Sequence, residues 1–196
     1  MSYPSEWRNI ASLTTATLGN VQYLFGLTKD GRVFRPYQGI IWNREPQDVI
    51  SIASSGWVHL ALKDDGTVFF AGEDAEYYGD ELRQWTDVVS IHPGDMFAAG
   101  LKSDGTVVTA DANDWHSTLS IWKDVEILYV SQSNIVIGVC KDRSVWVCSP
   151  NDSFFGEFPE WHDIQKLDTF VLDNGSIGAV GLRSDGRLLV LDLEIY

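Results

Sequence analysis

The side chains of this sequence that could carry chemistry are its carboxylates, its histidines and its two cysteines. Histidine and cysteine at close spacing bind zinc, but the four histidines are far apart and predict no metal site: His59, His92, His116 and His162. His59 lies inside an apolar run and is expected to be a buried imidazole with its hydrogen bonds satisfied. Cys140 and Cys148 cannot form a disulfide framework, and we expect them as buried free thiols on opposite faces of one hairpin.

The aspartates recur at fixed places along the chain. One set lies two residues after a tryptophan or proline, and a second set lies in Asp-Gly turns: Asp48, Asp87, Asp124 and Asp163, then Asp30, Asp65, Asp104, Asp142 and Asp185. A turn or cap hydrogen bond that each repeat needs explains this recurrence without catalysis. The acids that do not recur are the better functional candidates: Glu73, Asp74, Glu76, Asp80, Glu81, Asp111 and Asp114. A solvated acidic rim is the alternative explanation for each of them.

Motifs for catalysis are absent from the sequence. It contains no phosphate-binding loop, nucleophile elbow, His-Glu-x-x-His segment or dinucleotide-binding glycine motif. Two carboxylates can hydrolyse glycosides, but a pair drawn from Asp95, Asp168 or Asp173 would have to come from different repeats. The sequence therefore predicts a protein that is not an enzyme and that needs no cofactor.

Two phrases that recur together define the elements that must position these residues. The first phrase begins at Trp7, Pro46, Trp85, Trp122 and Trp161, at spacings of 39, 39, 37 and 39 residues. The second phrase is of the type Leu-Lys-Ser-Asp-Gly-Thr-Val, with a shorter version read at Cys140–Val145. Such a period indicates a repeat architecture. We predict one domain over residues 1–196, with repeats at 7–45, 46–84, 85–121, 122–160 and 161–196.

Each repeat shows a strand pattern. Alternating apolar runs flank each Asp-Gly pair, which is a hairpin signal because glycine adopts the positive φ of the turn. The simplest register pairs Leu101 with Val107, and in the fourth repeat it pairs Cys140 with Val145 across a two-residue loop. We expect that fourth hairpin to be the least regular, because Arg143 replaces the turn glycine. No segment shows helical periodicity, so helix is expected to be nearly absent.

The segment Trp85–Val107 resembles the short bacterial form of the RCC1 repeat, and the resemblance extends over essentially the whole chain. It implies an all-β β-propeller in which each repeat of about 38 residues forms one blade. RCC1-like proteins usually have seven blades, whereas this sequence has five repeats. We favour a five-bladed ring, and an open arc or a ring completed by another chain remain alternatives.

Composition limits the class of partner. The chain has 14 basic and 28 acidic residues, for a net charge of −14, while 44% of its residues are hydrophobic. It can therefore bury a core, and its charge argues against binding to nucleic acid or to an anionic membrane. A protein partner of basic character fits better. The start lacks a signal peptide and no run is long enough for a membrane helix, which predicts a cytoplasmic protein.

The resemblance implies recognition of a protein through one face of loops. The specific hypothesis is an acidic inhibitor or immunity-type protein, and the alternative is a lectin-like propeller that binds a sugar between repeats. A lectin would need similar loops in each repeat, but residues 73–80, 113–118 and 151–156 differ. Nucleotide exchange, the activity of the family's namesake, has little support in the loops.

Non-recurring aromatic and acidic loop residues are the candidates for contact with a partner, because exposed aromatics often anchor interfaces. They are Trp57, Glu73, Asp74, Glu76, Tyr77, Tyr78, Asp114, Trp115, Phe154 and Phe155. Ordinary loop packing would explain each of them equally well. The tryptophans of the first phrase are expected to be structural, and Trp146, within a strand run, is expected in the core.

Overall fold

The computed structural model describes residues 8–18, 21–34, 46–56, 58–71, 75–95, 97–111, 117–131, 134–149, 155–157, 161–171 and 177–193. The strands are β1 (Ile10–Leu18), β2 (Val21–Thr28), β3 (Val33–Phe34), β4 (Val49–Ser54), β5 (His59–Lys63), β6 (Val68–Ala71), β7 (Val88–Pro93), β8 (Phe97–Lys102), β9 (Val107–Asp111), β10 (Val125–Val130), β11 (Val136–Cys140), β12 (Val145–Cys148), β13 (Phe155–Glu157), β14 (Ile164–Val171), β15 (Ile177–Arg183) and β16 (Leu188–Leu193). The helices are α1 (Ala75–Leu82) and a 3-10 helix at Ser117–Ile121.

The strands form five sheets, one for each repeat. Their orders are β1-β2-β3, β4-β5-β6, β7-β8-β9, β10-β11-β12-β13 and β14-β15-β16, and we number the sheets first to fifth in this order. Within the described residues, a fourth, outer strand occurs in the fourth sheet. Helix is scarce among the described residues, as expected. The short helix α1 was not predicted, because its anchor, the fully buried Leu82, ends a mostly polar segment with little periodicity. No helix within these ranges is long and apolar enough to cross a membrane.

The register of the Asp-Gly hairpins follows the prediction in three sheets. The pairs that match are Leu27–Val33, Leu62–Val68 and Leu182–Leu188. In the fourth sheet Val145 pairs with Val139, so the predicted pairing of Cys140 with Val145 was wrong. The fourth turn has the usual length, because Arg143 adopts a φ of 73° and occupies the glycine position. The fourth turn also makes the hydrogen bond found in the turns at Gly31, Gly66 and Gly186, here from Arg143 N–H to the carbonyl of Cys140 at 2.8 Å. The expectation that this hairpin is the least regular was therefore wrong.

The recurring Asp or Asn of the first phrase has a backbone role. All five residues at this position have φ between 56° and 61°: Asn9, Asp48, Asp87, Asp124 and Asp163. Asn and Asp tolerate this left-handed conformation better than other non-glycine residues do. The carbonyl of each accepts a backbone N–H from the second-to-third-strand turn of its own sheet, as from Ser103 to Asp87 at 2.9 Å. The recurrence is therefore structural, as predicted.

Three tryptophans of the first phrase cover glycines of their own sheets, and the fourth, Trp7, lies outside the described residues. Trp85, Trp122 and Trp161 are each 5% exposed. A β-carbon on Gly100, Gly138 or Gly181 would lie 2.6–3.0 Å from the corresponding indole ring. The predicted structural role of these tryptophans is confirmed, and the repeat with Pro46 in place of tryptophan has Ala61 in place of the glycine.

The chain divides into two compact units, residues 1–103 with 108–113 and residues 104–107 with 114–196. In the first unit, one apolar cluster joins the first and second sheets through Leu27, Val49 and Ala61. A second cluster joins the second and third sheets around Leu60 and Trp85. In the second unit, Ile137 and Ile164 belong to a cluster that joins the fourth and fifth sheets. Within each unit, consecutive sheets bury one another's apolar faces, which a single three-stranded sheet cannot do alone.

Candidate functional site

Each sheet has two ends of different composition. At one end, which we call the turn edge, the hairpin between the second and third strands meets the start of the first strand, as where Val49 pairs with Lys63. At the other end, the loop edge, lie the connection between the first and second strands and the end of the third strand. In the second sheet, Ser54, His59 and Ala71 form this row.

The turn edges are close to electrically neutral. The charged residues of the two phrases there are eleven acids, Asp30, Asp48, Asp64, Asp65, Asp87, Asp104, Asp124, Glu126, Asp142, Asp163 and Asp185, and ten bases, Arg8, Lys29, Arg32, Lys63, Lys102, Lys123, Lys141, Arg143, Arg183 and Arg187. Many of them form pairs, including Arg32–Asp30 at 3.3 Å, Lys141–Asp124 at 3.4 Å and Arg143–Glu126 at 3.4 Å. Such exposed pairs stabilise the fold little, but they neutralise this end of the sheets.

Hydrogen bonds favour the charged form of two turn aspartates, Asp65 and Asp142. The Lys63 ammonium, 2.8 Å from Asp65, and then the Thr67 hydroxyl and N–H lower the pKa of Asp65. The hydroxyl and N–H of Ser144 donate to Asp142 Oδ1 at 2.7 and 3.0 Å and lower the pKa of that carboxyl. These carboxylates cap their turns, as the sequence predicted.

The net negative charge therefore belongs to the rest of the chain, which has seventeen acids and the four bases Arg35, Arg44, Arg83 and Lys166. In the first unit, four of these acids lie at loop edges: Asp80 and Glu81 on α1, Asp95 between β7 and β8, and Asp111 at the end of β9. We call these four residues the acidic loop edge. Three of them were candidates from sequence as non-recurring acids, and Asp95 was considered there only for glycoside hydrolysis.

Hydrogen bonds connect the segments that carry the acidic loop edge. The Asp111 N–H donates to Glu81 Oε2 at 3.2 Å, which ties β9 to α1. The Ser55 hydroxyl donates to the carbonyl of Gly94, which joins the loop of the second sheet to that of the third. The side chain of Asp80 is 93% exposed and pairs with Arg83. Among the described residues, Arg83 is the one base at this edge. The guanidinium of Arg83 also lies 5.3 Å from the centre of the Phe70 ring.

The predicted partner-contact residues fall largely outside the described ranges. Those wholly outside are Trp57, Glu73, Asp74, Asp114, Trp115 and Phe154. Glu76, Tyr77 and Tyr78 lie on α1, and Phe155 lies on β13, with the backbone alone described. Their role stays a prediction, although α1 places three of them on the same short helix as Asp80 and Glu81.

A cleft of about 320 Å³ lies at the turn edge of the fourth sheet, within the second unit. Trp122 and Trp146 are among the residues that line it. Trp146 pairs across the sheet with Gly138, against which the ring of Trp122 packs, so both indoles lie on the same face. Trp146 is only half-buried, so its expected place in the core was wrong. Cys140, 8% exposed, also lines the cleft, and its thiol donates to the carbonyl of Lys123 at 3.6 Å.

The remaining histidine and cysteine side chains form no reactive cluster in the described part of the chain. His59 is 2% exposed, and burial lowers its pKa to about 4. Its Nδ1 has no hydrogen-bond partner among the described residues, so the expectation of a fully satisfied imidazole was wrong. Cys140 and Cys148 are buried free thiols, as predicted. Val136 pairs with Cys148 and lies four residues before Cys140 on β11, so the two cysteines share one face of the hairpin and the predicted placement on opposite faces was wrong. Across the described ranges, no three His, Cys, Asp or Glu side chains come together to hold a metal ion.

No family model and no curated protein match this chain. Among solved structures, Prp20p from Saccharomyces cerevisiae superposes with a TM-score of 0.60 at 10% identity, over 95% of this chain and 66% of that one. Human WBSCR16 gives a TM-score of 0.59 at 11% identity, over 89% of this chain and 60% of that one. In a complex with Kap60, yeast RCC1 (Prp20) gives a TM-score of 0.46 at 12% identity, over 82% of this chain and 52% of that one.

The similarities to Prp20p and to human WBSCR16 identify the fold. The chain is an all-β protein with an RCC1-like β-propeller fold, and its five sheets are the blades, as the repeats predicted. The chain spans about two thirds or less of the length of these structures. At 10–11% identity the likeness concerns architecture, and function must be argued from this chain's own residues.

Proposed function

We propose that this chain is a protein-binding propeller without catalytic activity, and that it binds a basic protein at the acidic loop edge. The observation that supports the proposal is the uneven distribution of charge. Lysine and arginine balance the acids at the turn edges, whereas the acidic loop edge has Arg83 as its one described base. Prp20p, which shares the fold, was described together with its binding properties to Gsp1p and histones, so protein recognition is compatible with this architecture.

Electrostatics would act mainly on the association of the two proteins. Asp80, Glu81 and Asp95 are exposed, so their attraction for a basic partner extends over a Debye length of about 8 Å at physiological salt. Complementary charge of this kind raises the association rate and orients the partner. The binding should therefore weaken steeply as ionic strength rises.

The more specific form of the proposal is an inhibitor of the immunity type that acts on a basic cytoplasmic enzyme. Its partner would be recovered by affinity purification at low salt and would be inactive in the complex. Release of the partner at high salt should restore its activity. A partner that remains fully active while bound would reduce the proposal to protein binding alone.

A pair of matched variants tests where the basic partner binds. Asp80→Lys with Glu81→Lys reverses two charges on α1, and Asp64→Lys with Glu126→Lys reverses two exposed charges at turn edges. Binding to a purified basic probe, such as core histones, would be measured by fluorescence anisotropy between 50 and 300 mM salt. We expect the α1 variant to bind about tenfold more weakly at low salt, and the turn-edge variant to change less than threefold.

Two outcomes would contradict the proposal. Equal weakening by both variants would mean that only net charge matters and that the acidic loop edge is not the site. Binding that ignores ionic strength would remove the electrostatic basis. Thermal unfolding of both variants serves as the control for folding, since all four positions are exposed.

A further inference from the structure

The cleft of the fourth sheet exists at a position where three other sheets carry a cation. The residue that pairs with the first residue of the first strand is Lys63 in the second sheet, Lys102 in the third, Arg183 in the fifth and Cys140 in the fourth. The register is the same in all four sheets, so cysteine replaces a long basic side chain. A short thiol leaves space where a four-atom or longer stem would otherwise lie.

In these three sheets the cation faces carboxylates of the two phrases, whereas the first sheet has Thr28 at this position. Lys63 Nζ lies 2.8 Å from Asp65, and Lys102 Nζ lies 3.9 Å from Asp87. The guanidinium of Arg183 lies 3.8 Å from Asp163 and 3.7 Å from Asp185. The side chains of these three bases are only 18–29% exposed. Each of these sheets thus supplies its own half-buried cation.

The fourth sheet retains the corresponding carboxylates, Asp124 and Asp142, and both line the cleft. Lys123 and Lys141 line it as well, and Lys141 Nζ lies 3.4 Å from Asp124 Oδ1. The side chain of Lys141 is 59% exposed, so it pairs from the solvent side and a second cation can displace it at small cost. The Cys140 side chain stands at the position that Lys63, Lys102 and Arg183 occupy in their sheets.

We propose that this cleft receives a lysine or arginine side chain of a basic protein, with its cation facing Asp124 and Asp142 and its stem against Trp122 and Trp146. The cleft lies at a turn edge of the second unit, so this contact is separate from the one proposed at the acidic loop edge of the first unit. The indoles favour a cation by cation–π attraction, and arginine can also stack on them. A volume of about 320 Å³ is at the lower end for ligand pockets and suits one side chain.

Small probes test the cleft without any partner protein. N-acetyl-arginine amide, N-acetyl-lysine amide and the neutral N-acetyl-citrulline amide would be titrated into the protein. The indole N–H signals of Trp122 and Trp146 would be followed by NMR and assigned with Trp146→Phe. We expect saturable shifts with the two cationic probes in the low millimolar range, and at least fivefold weaker binding of citrulline.

Three variants check that the replaced cation defines the site. Cys140→Lys restores the residue type of the second and third sheets and should weaken binding of the cationic probes at least fivefold. Cys140→Ser leaves the cleft open and should bind within twofold of the natural protein. Asp124→Asn, which keeps a residue that tolerates the φ of 56° and matches Asn9, should also weaken binding at least fivefold.

The proposal would be overturned by equal binding of citrulline, by no saturation below about 50 mM, or by unchanged binding to Cys140→Lys. The histone and probe experiments distinguish a wrong cleft proposal from a wrong proposed function. Salt-dependent histone binding that α1 charge reversal weakens, without any response of the indole signals to the probes, would leave the acidic loop edge intact. Probe binding without histone binding would support the cleft and contradict the proposed role of the acidic loop edge.

Discussion

Replacement of Gly66 by alanine should destabilise the protein more than the same replacement at Gly186. Both glycines lie at the same turn position, with φ of 78° and 82°, so a side chain at either costs about 1–2 kcal/mol in the left-handed region. Their surroundings differ. A β-carbon on Gly66 would lie 3.0 Å from Asp87 N and 3.1 Å from Asp87 Cα, whereas nothing lies within 4 Å of one on Gly186.

The magnitude of the difference follows from the contact between the second and third sheets. The Gly66 carbonyl accepts the N–H of Val88 at 3.1 Å, a bond with a net contribution of about 0.5–1.5 kcal/mol. Overpacking against rigid backbone typically adds about 1–3 kcal/mol. We therefore expect Gly66→Ala to lower the free energy of unfolding by roughly 2 kcal/mol more than Gly186→Ala, which corresponds to a Tm lower by about 4–8 °C for a chain of this size.

Thermal and urea unfolding, followed by circular dichroism and tryptophan fluorescence, would measure both variants against the natural protein. The urea m-values must agree for the comparison to hold, because a changed m-value signals an altered denatured state or an intermediate. Equal losses in the two variants would refute the reasoning, since they would mean that the turn of the second sheet does not press on the backbone of the third.

Two further predictions concern a buried imidazole and a strained turn. Because burial lowers the pKa of His59 to about 4, the unfolded state, in which the pKa of histidine is about 6.5, takes up a proton first. The contribution of His59 to stability should fall by at most about 3 kcal/mol as pH drops from about 6.5 to 4. Urea unfolding at pH 7, 6 and 5 should show that the free energy of unfolding falls less steeply with pH in His59→Gln than in the natural protein. Arg143→Gly removes a side chain from a φ of 73° and an exposed ion pair with Glu126, so its net effect should be stabilisation by up to about 1 kcal/mol. Arg143→Ala, which keeps the strain, should not be stabilising, and equal Tm values for the two variants would contradict this account.

Local chemistry made much of the fold predictable from the residues. The turn of Ser103-Asp104-Gly105 and the aspartates that adopt a left-handed conformation depend on neighbours within a few residues, so their recurrence is visible along the chain. The repeats predicted five strand units and the RCC1-like propeller, which the structure and its similarities confirm. The predicted register was wrong in the fourth sheet, where Cys140 was aligned with a leucine, because a cysteine at a position of basic residues concealed the match with Lys63.

The sequence by itself determined the period, the strands, the turns and the excess of acid over base, because each depends on residue types at short range. Only the tertiary structure decided which ends of the sheets hold balanced charge and which leave acids exposed. The same is true of the cleft, where Trp122, Cys140 and Trp146 meet through hydrogen bonding between strands and not through proximity in sequence. Contacts between distant segments depend on how sheets pair and pack, and the spacing of residues carries no direct record of that geometry.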